Sequence, residues 1–164
     1  MKTSKKRFSH VDPKGKASMV NVTSKKETFR TAIAHARITM NAVAFSQVME
    51  NKNKKGDVLS AANLAGIMAA KKTSELIPLC HPLNLSHVEL KFLPDNGSCS
   101  IEIIAVCELS GKTGVEMEAL TAVTVAALTL YDMCKAVDKR IEISDIYLMK
   151  KTGGRSGVYY RKSK

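Results

Sequence analysis

The chain has 164 residues, with 26 Lys and Arg against 15 Asp and Glu, giving a formal net charge of +11. At 45% hydrophobic and 25% charged residues it has the composition of an ordinary globular domain. One domain of this length buries enough apolar surface to fold without disulfide or metal staples, so a disordered chain and a disulfide-dense scaffold are both excluded.

The charge is confined to the ends. Residues 1–16 hold six basic side chains and one acid, residues 150–164 hold six and none, and residues 17–149 balance at 14 of each sign. Cys80, Cys99, Cys107 and Cys134 form no CxxC pair, so they are read as reduced thiols. The opening MKTSKKRFSH has no apolar stretch of the signal-peptide kind, and no window nears about 18 uninterrupted apolar residues. The expected location is the cytoplasm, with no membrane partner.

Residues 1–24 are rich in Lys, Ser, Thr, Gly and Pro without an apolar period and are expected to be a flexible basic arm. In RTAIAHARITM, Ala32, Ala34, Ala36, Ile38 and Met40 alternate with polar residues, the period of a strand with one buried face. Val43, Ala44, Val48 and Met49 then fit a short helix capped by Asn41 and ending in the loop NKNKKG. A second helix starts at about Asp57, apolar on more than one face and so expected to be largely buried.

Pro78 and Pro82 stiffen IPLCHPLNL and keep Ile77 and His81 out of helical conformations. Two alternating runs flank PDNG, a hairpin signal. Residues 113–138 read as a long, mostly buried helix, and RIEISDIYLMK as a last strand before the loop KKTGGRSG. The order strand, helix pair, strand, strand, long helix, strand defines an α+β ferredoxin-like β-α-β-β-α-β sandwich. It has an antiparallel sheet with helices on one face and an extra helix in the first crossover. The expected organisation is an arm over 1–24, one catalytic domain over 25–157 and a basic tail over 158–164.

Asp132 and Lys135 stand three apart on the long helix, the spacing of a surface ion pair and equally of an acid/base couple. Glu118 and Asp132 are 14 residues apart, about 40° in azimuth but about 21 Å along the axis. If both serve one site, that site draws on two subunits. His81 on its rigid turn is either a backbone-satisfied imidazole or a site histidine. Adjacent Cys80 and His81 do not form a zinc set, and Cys80 lacks the setting of a nucleophile.

KNKKGD, at Lys52 to Asp57, and KKTGGRSG, at Lys150 to Gly157, combine cations with glycine, either as solvated loops or as phosphate cradles, but neither is a P-loop. A basic nucleic-acid-binding module is the rival class. It predicts salt-sensitive binding lost when residues 1–16 and 158–164 are removed. The absence of Trp and the scattered Phe and Tyr count against it.

Three long segments, KKGDVLSAANLAGIMAAKKTSELIPLCHPL, GKTGVEMEALTAVTVAALTLYDMCKAV and KKTGGRSG, closely resemble the cyclic pyranopterin monophosphate synthases of molybdenum cofactor biosynthesis over roughly residues 17–157. The resemblance implies conversion of 3′,8-cyclo-7,8-dihydroguanosine 5′-triphosphate to cyclic pyranopterin monophosphate with loss of diphosphate. It places catalytic roles on Asp132 and Lys135 and substrate binding on Leu79, Cys80, His81, Met117 and Glu118. Lys55 and Lys151 fall on lysines associated with the triphosphate and catalysis.

It further implies a homohexamer, a trimer of dimers with sites between subunits, and no nucleic-acid partner. No protein metal site is expected; Mg²⁺ accompanying the triphosphate is chemically reasonable. Two positions depart from the family pattern: Asn53 and Lys54 stand where members carry His before KGD, and Arg155 stands for the lysine of GGKSG.

Overall fold

The structure is a computed structural model and describes residues 10–11, 14–51 and 56–162. Strand β1 (Thr28–Thr39) leads through helices α1 (Ala42–Met49), α2 (Val58–Lys71) and the single turn α3 (Thr73–Leu76) to the hairpin of β2 (His87–Asp95) and β3 (Ser100–Gly111). Helix α4 (Glu116–Cys134), strand β4 (Glu142–Thr152) and the two-residue β5 (Tyr159–Tyr160) follow. The sheet order is β2-β3-β1-β4-β5 with every pairing antiparallel, the ferredoxin-like arrangement expected from the sequence.

The alternation in β1 does what its period dictates: Ala32, Ala34, Ala36 and Ile38 are fully buried on the helix-facing side. They meet Ile101, Ile103, Ala105 and Cys107 of β3 and Ala119, Ala122, Val123, Ala126 and Leu130 of α4 in one core. Small side chains on β1 let α4 sit close to the sheet. By length and composition α4 could cross a membrane, but its apolar face is this core.

Capping residues define the helix starts. Asn41 Oδ1 accepts from the Ala44 N–H at 2.8 Å, and Asp57 Oδ1 accepts from the Ser60 N–H at 2.9 Å. α2 is less buried than its composition suggested: Leu64 and Met68 are 59% and 52% exposed, because only the stripe Val58, Ala62, Gly66, Ala69 and Ala70 faces inward. Gly66 marks its closest approach to α4, where an added Cβ would lie 3.0 Å from the Ala122 carbonyl and 3.3 Å from Ala126 Cβ.

α4 stops at Cys134, earlier than the periodicity predicted, and the Asp138 carboxylate accepts from the N–H groups of Asn41 and Arg140 instead of continuing the helix. The last strand departs from strict alternation. Bulges opposite Ile33/Ala34 and His35/Arg37, with Asp145 at φ 53°, shift its register, and β4 runs on through Lys151 and Thr152, past the predicted strand end at Lys150. β5 was not expected; it pairs with Lys150 and Lys151 at the sheet edge.

Candidate active site

A concave pocket of about 1060 Å³ opens where the N-terminal end of α4, the 79–83 loop, the end of β4 and the segment before β1 converge. Six of the nine residues singled out from the sequence line it: Leu79, Cys80, His81, Met117, Glu118 and Lys151. Six cations, Lys25, Lys26, Arg30, Lys112, Lys151 and Arg155, face two carboxylates, Glu116 and Glu118. The excess of four positive charges, together with two histidines on the walls, suits a polyanionic small molecule. α4 begins at this pocket, so the positive end of its dipole adds to the same wall.

Glu118 is the most perturbed group. It is 4% exposed, and burial, reinforced by the nearby charge of Glu116, pushes its carboxyl up to about 7 despite a backbone N–H that favours the anion. A carboxyl at that value holds or releases a proton near neutrality. The Glu116 carboxylate is instead paired with Lys151 Nζ at 2.7 Å, tying the end of β4 to the start of α4. Burial, and secondarily the charge of Glu118, raise the Cys80 thiol above its ordinary value, so Cys80 is a neutral lining group. All four cysteines are unpaired as disulfides.

His81 meets both readings of its turn. Its Nε2 lies 2.9 Å from the Val20 carbonyl oxygen while the ring lines the pocket.

Arg30, like Lys25, Lys26 and Lys112, is a pocket residue that sequence reasoning missed. It is 9% exposed, and its Nε donates to the Gly111 carbonyl at 3.3 Å. The positive-φ glycines Gly153 and Gly154 lie against it: a Cβ at Gly154 would fall within the guanidinium, and one at Gly153 would strike the Phe29 carbonyl. The signal was present, since Arg30 is in phase with Ala32, Ala34 and Ala36 and so points a cation toward the buried side.

Asp132 and Lys135 are elsewhere. They sit at the C-terminal end of α4, 58% and 53% exposed, joined by a 2.6 Å hydrogen bond. The unbroken run of α4 sets Asp132 about 21 Å along the axis from Glu118. The hydrogen bond and charge of Asp132 raise the Lys135 pKa above its ordinary value.

α2 runs antiparallel to α4: Gly66 faces Ala122 and Ala126, while Cys80, further along the chain, senses the charge of Glu118. Lys55, with Asn53 and Lys54, lies outside the described residues. Among the described residues no three His, Cys, Asp or Glu side chains converge as metal ligands do.

The fold and site thus define an α+β sandwich with a cationic small-molecule pocket at one end of its core helix and an acid/lysine pair at the other. The MoaC family model matches residues 19–154, and the chain belongs to that family. It is 57% identical to a protein of Desulforapulum autotrophicum over 152 residues, covering 93% of both chains. Identity is 56% to a protein of Heliobacterium modesticaldum, covering 94% of this chain and 97% of that one. It is 51% to one of Staphylococcus haemolyticus, covering 94% and 99%. All three relatives are named cyclic pyranopterin monophosphate synthase.

Proposed function

We propose that this chain is a cyclic pyranopterin monophosphate synthase, converting 3′,8-cyclo-7,8-dihydroguanosine 5′-triphosphate to cyclic pyranopterin monophosphate and diphosphate. One observation carries the reading: a pocket of nucleotide size with six cations and a near-neutral carboxyl, in a chain matching the named synthases over almost its full length. The cations line a cavity with two carboxylates in it, a shape for a small polyanion rather than for nucleic acid.

The triphosphate lies against Lys151, Arg155, Lys112 and Arg30, with the positive end of the α4 dipole on the same wall. Leu79, Cys80, His81, Met117 and Glu118 surround the purine and sugar. Closing the cyclic phosphate requires a sugar oxygen to attack the α-phosphorus while the bond to the β-phosphate oxygen breaks and diphosphate leaves. The hydroxyl proton passes to a base, and Glu118 is poised to exchange protons there. Binding of the phosphates beside Lys151 competes with the Glu116 contact, so Glu116 sets how firmly that lysine is held before substrate arrives.

Asp132 and Lys135 reach the pocket of a neighbouring subunit in a homohexamer built as a trimer of dimers, and Lys55 serves the triphosphate. The catalytic domain spans 25–157, in the cytoplasm, with neither membrane nor nucleic acid as partner. The test is to supply the cyclised dihydroguanosine triphosphate to the purified protein and to Asp132→Asn, measuring diphosphate and oxidised pterin product. Both products from the unaltered chain, and turnover lower by about 10²–10⁴ in the variant, support the reading. Neither product from a folded oligomer, or near-normal turnover by the variant, overturns it.

A further inference from the structure

Residues 20–26 contribute nothing to the hydrophobic core, which begins at Ala32, yet they grip the pocket at two points. On one wall Val20 meets His81: a carbonyl can only accept, so Nε2 of His81 carries the hydrogen of that 2.9 Å bond. On the opposite wall Lys112 Nζ donates to the Thr23 carbonyl at 3.2 Å. Between the two contacts the chain reverses. The Thr23 N–H donates to Asn21 Oδ1 at 2.9 Å and the Lys25 N–H to the Val22 carbonyl at 3.1 Å. The turn delivers Ser24, Lys25 and Lys26 to the pocket lining.

We propose that residues 20–26 form a strap belonging to the active site, with two roles. The Val20 carbonyl positions His81, holding a hydrogen on Nε2, so that in the neutral ring Nδ1 is left as the acceptor. Lys25 and Lys26 are further ligands of the polyphosphate.

The first role follows from the hydrogen bond alone. The second rests on the triphosphate reading above, and its chemical basis is placement. Two adjacent ammonium groups on the strap extend the cationic lining made by Lys112, Lys151 and Arg155, so a chain of phosphates can be held at several points. A monophosphate product, lacking the outer phosphates, would lose part of that grip after diphosphate formation. The strap therefore favours substrate and diphosphate over the cyclic monophosphate.

Two measurements on the full chain test the roles separately. ¹⁵N NMR of histidine-labelled protein at about pH 8, with His81 assigned by loss of its signals in His81→Asn, reads the tautomer directly. An Nε2–H ring is expected; an Nδ1–H ring or a mixture of tautomers overturns the positioning role. Titration of the full chain and of the double variant Lys25→Ala, Lys26→Ala with diphosphate alone tests the second role. At least tenfold weaker binding is expected, with KM for substrate raised tenfold or more and kcat within about twofold. Unchanged diphosphate affinity overturns it.

Among the described residues every strand and every core residue lies at or after Thr28, so a chain beginning at residue 22 keeps that core and both strap lysines. It should show mixed His81 tautomers and a kcat about tenfold lower. Retention of the Nε2–H tautomer and of kcat would contradict positioning by Val20. If the full chain forms no product, the proposed reaction fails, while the NMR and diphosphate results still decide the strap.

Discussion

Replacing Glu118 by Gln should stabilise the folded protein at alkaline pH by an amount that the burial of this carboxyl fixes in advance. Its pKa rises from the ordinary 4.5 to about 7 in the folded chain, chiefly through burial. A raised carboxyl pKa means that the folded state binds the proton more tightly than the unfolded state. The proton-linked stability is therefore full below 4.5, falls as pH rises through the two values, and is gone above about 7.

At about 1.4 kcal/mol per pKa unit, the loss is under about 1 kcal/mol at pH 5 and on the order of 3 kcal/mol at pH 8. Glutamine has nearly the same shape and no titration. Its advantage over the native residue should thus widen by about 2–3 kcal/mol between pH 5 and pH 8. Urea unfolding of both proteins at fixed concentration across that range reads the difference. A gap that does not change with pH would refute the claim that burial destabilises the Glu118 anion, and with it the proton-exchange role. Activity should be lost in the same variant, so stability and function trade against each other at this position.

Other outcomes follow from close approaches in the structure. Gly154→Ala forces a Cβ into the Arg30 guanidinium at φ 73°, so substrate or diphosphate affinity should fall by about tenfold, near 1.4 kcal/mol, as seen by calorimetric titration. Unchanged affinity would remove Arg30 from the phosphate set. Gly66→Ala sets a methyl 2.5 Å from Leu90 Cδ2 and 3.0 Å from the Ala122 carbonyl, so α2 must shift from α4 and thermal stability should drop by about 1–3 kcal/mol. A neutral result would show that the helix pair yields without cost.

The fold was legible because its strongest periodicities agree with one another. Ala32 to Ile38 at period two, the Asn41 and Asp57 caps, the PDNG turn and the unbroken apolar run of α4 leave few topologies open. What escaped was set by geometry that no local pattern encodes. The bulges in β4 depend on its pairing with β1, and β5 exists only because Tyr159 and Tyr160 find Lys151 and Lys150 across the edge. α2 looked buried because composition does not say which of its faces meets α4.

The site was legible in parts. Glu118 stands out as a carboxylate on an apolar helix, and His81 as an imidazole on a stiff turn. Arg30 was hidden among alternating residues although its phase marked it. The strap was hidden because its contribution is largely through main-chain carbonyls, which carry no sequence signature. The separation of Glu118 from Asp132 was readable from helix geometry alone, and the unbroken α4 preserves it.

That separation gives the most direct test of the account, which holds that each active site joins the Glu118 end of one subunit to the Asp132 end of another. Glu118→Gln and Asp132→Asn should each be inactive alone. Dissociated, mixed in equal amounts and reassembled, they should recover about a quarter of the unaltered activity, because random pairing of two subunits rebuilds one intact site in four. Diphosphate release from the mixed oligomer reads this. Recovery near that level is predicted. No recovery from fully mixed oligomers would contradict the shared site and place both ends of α4 in separate tasks.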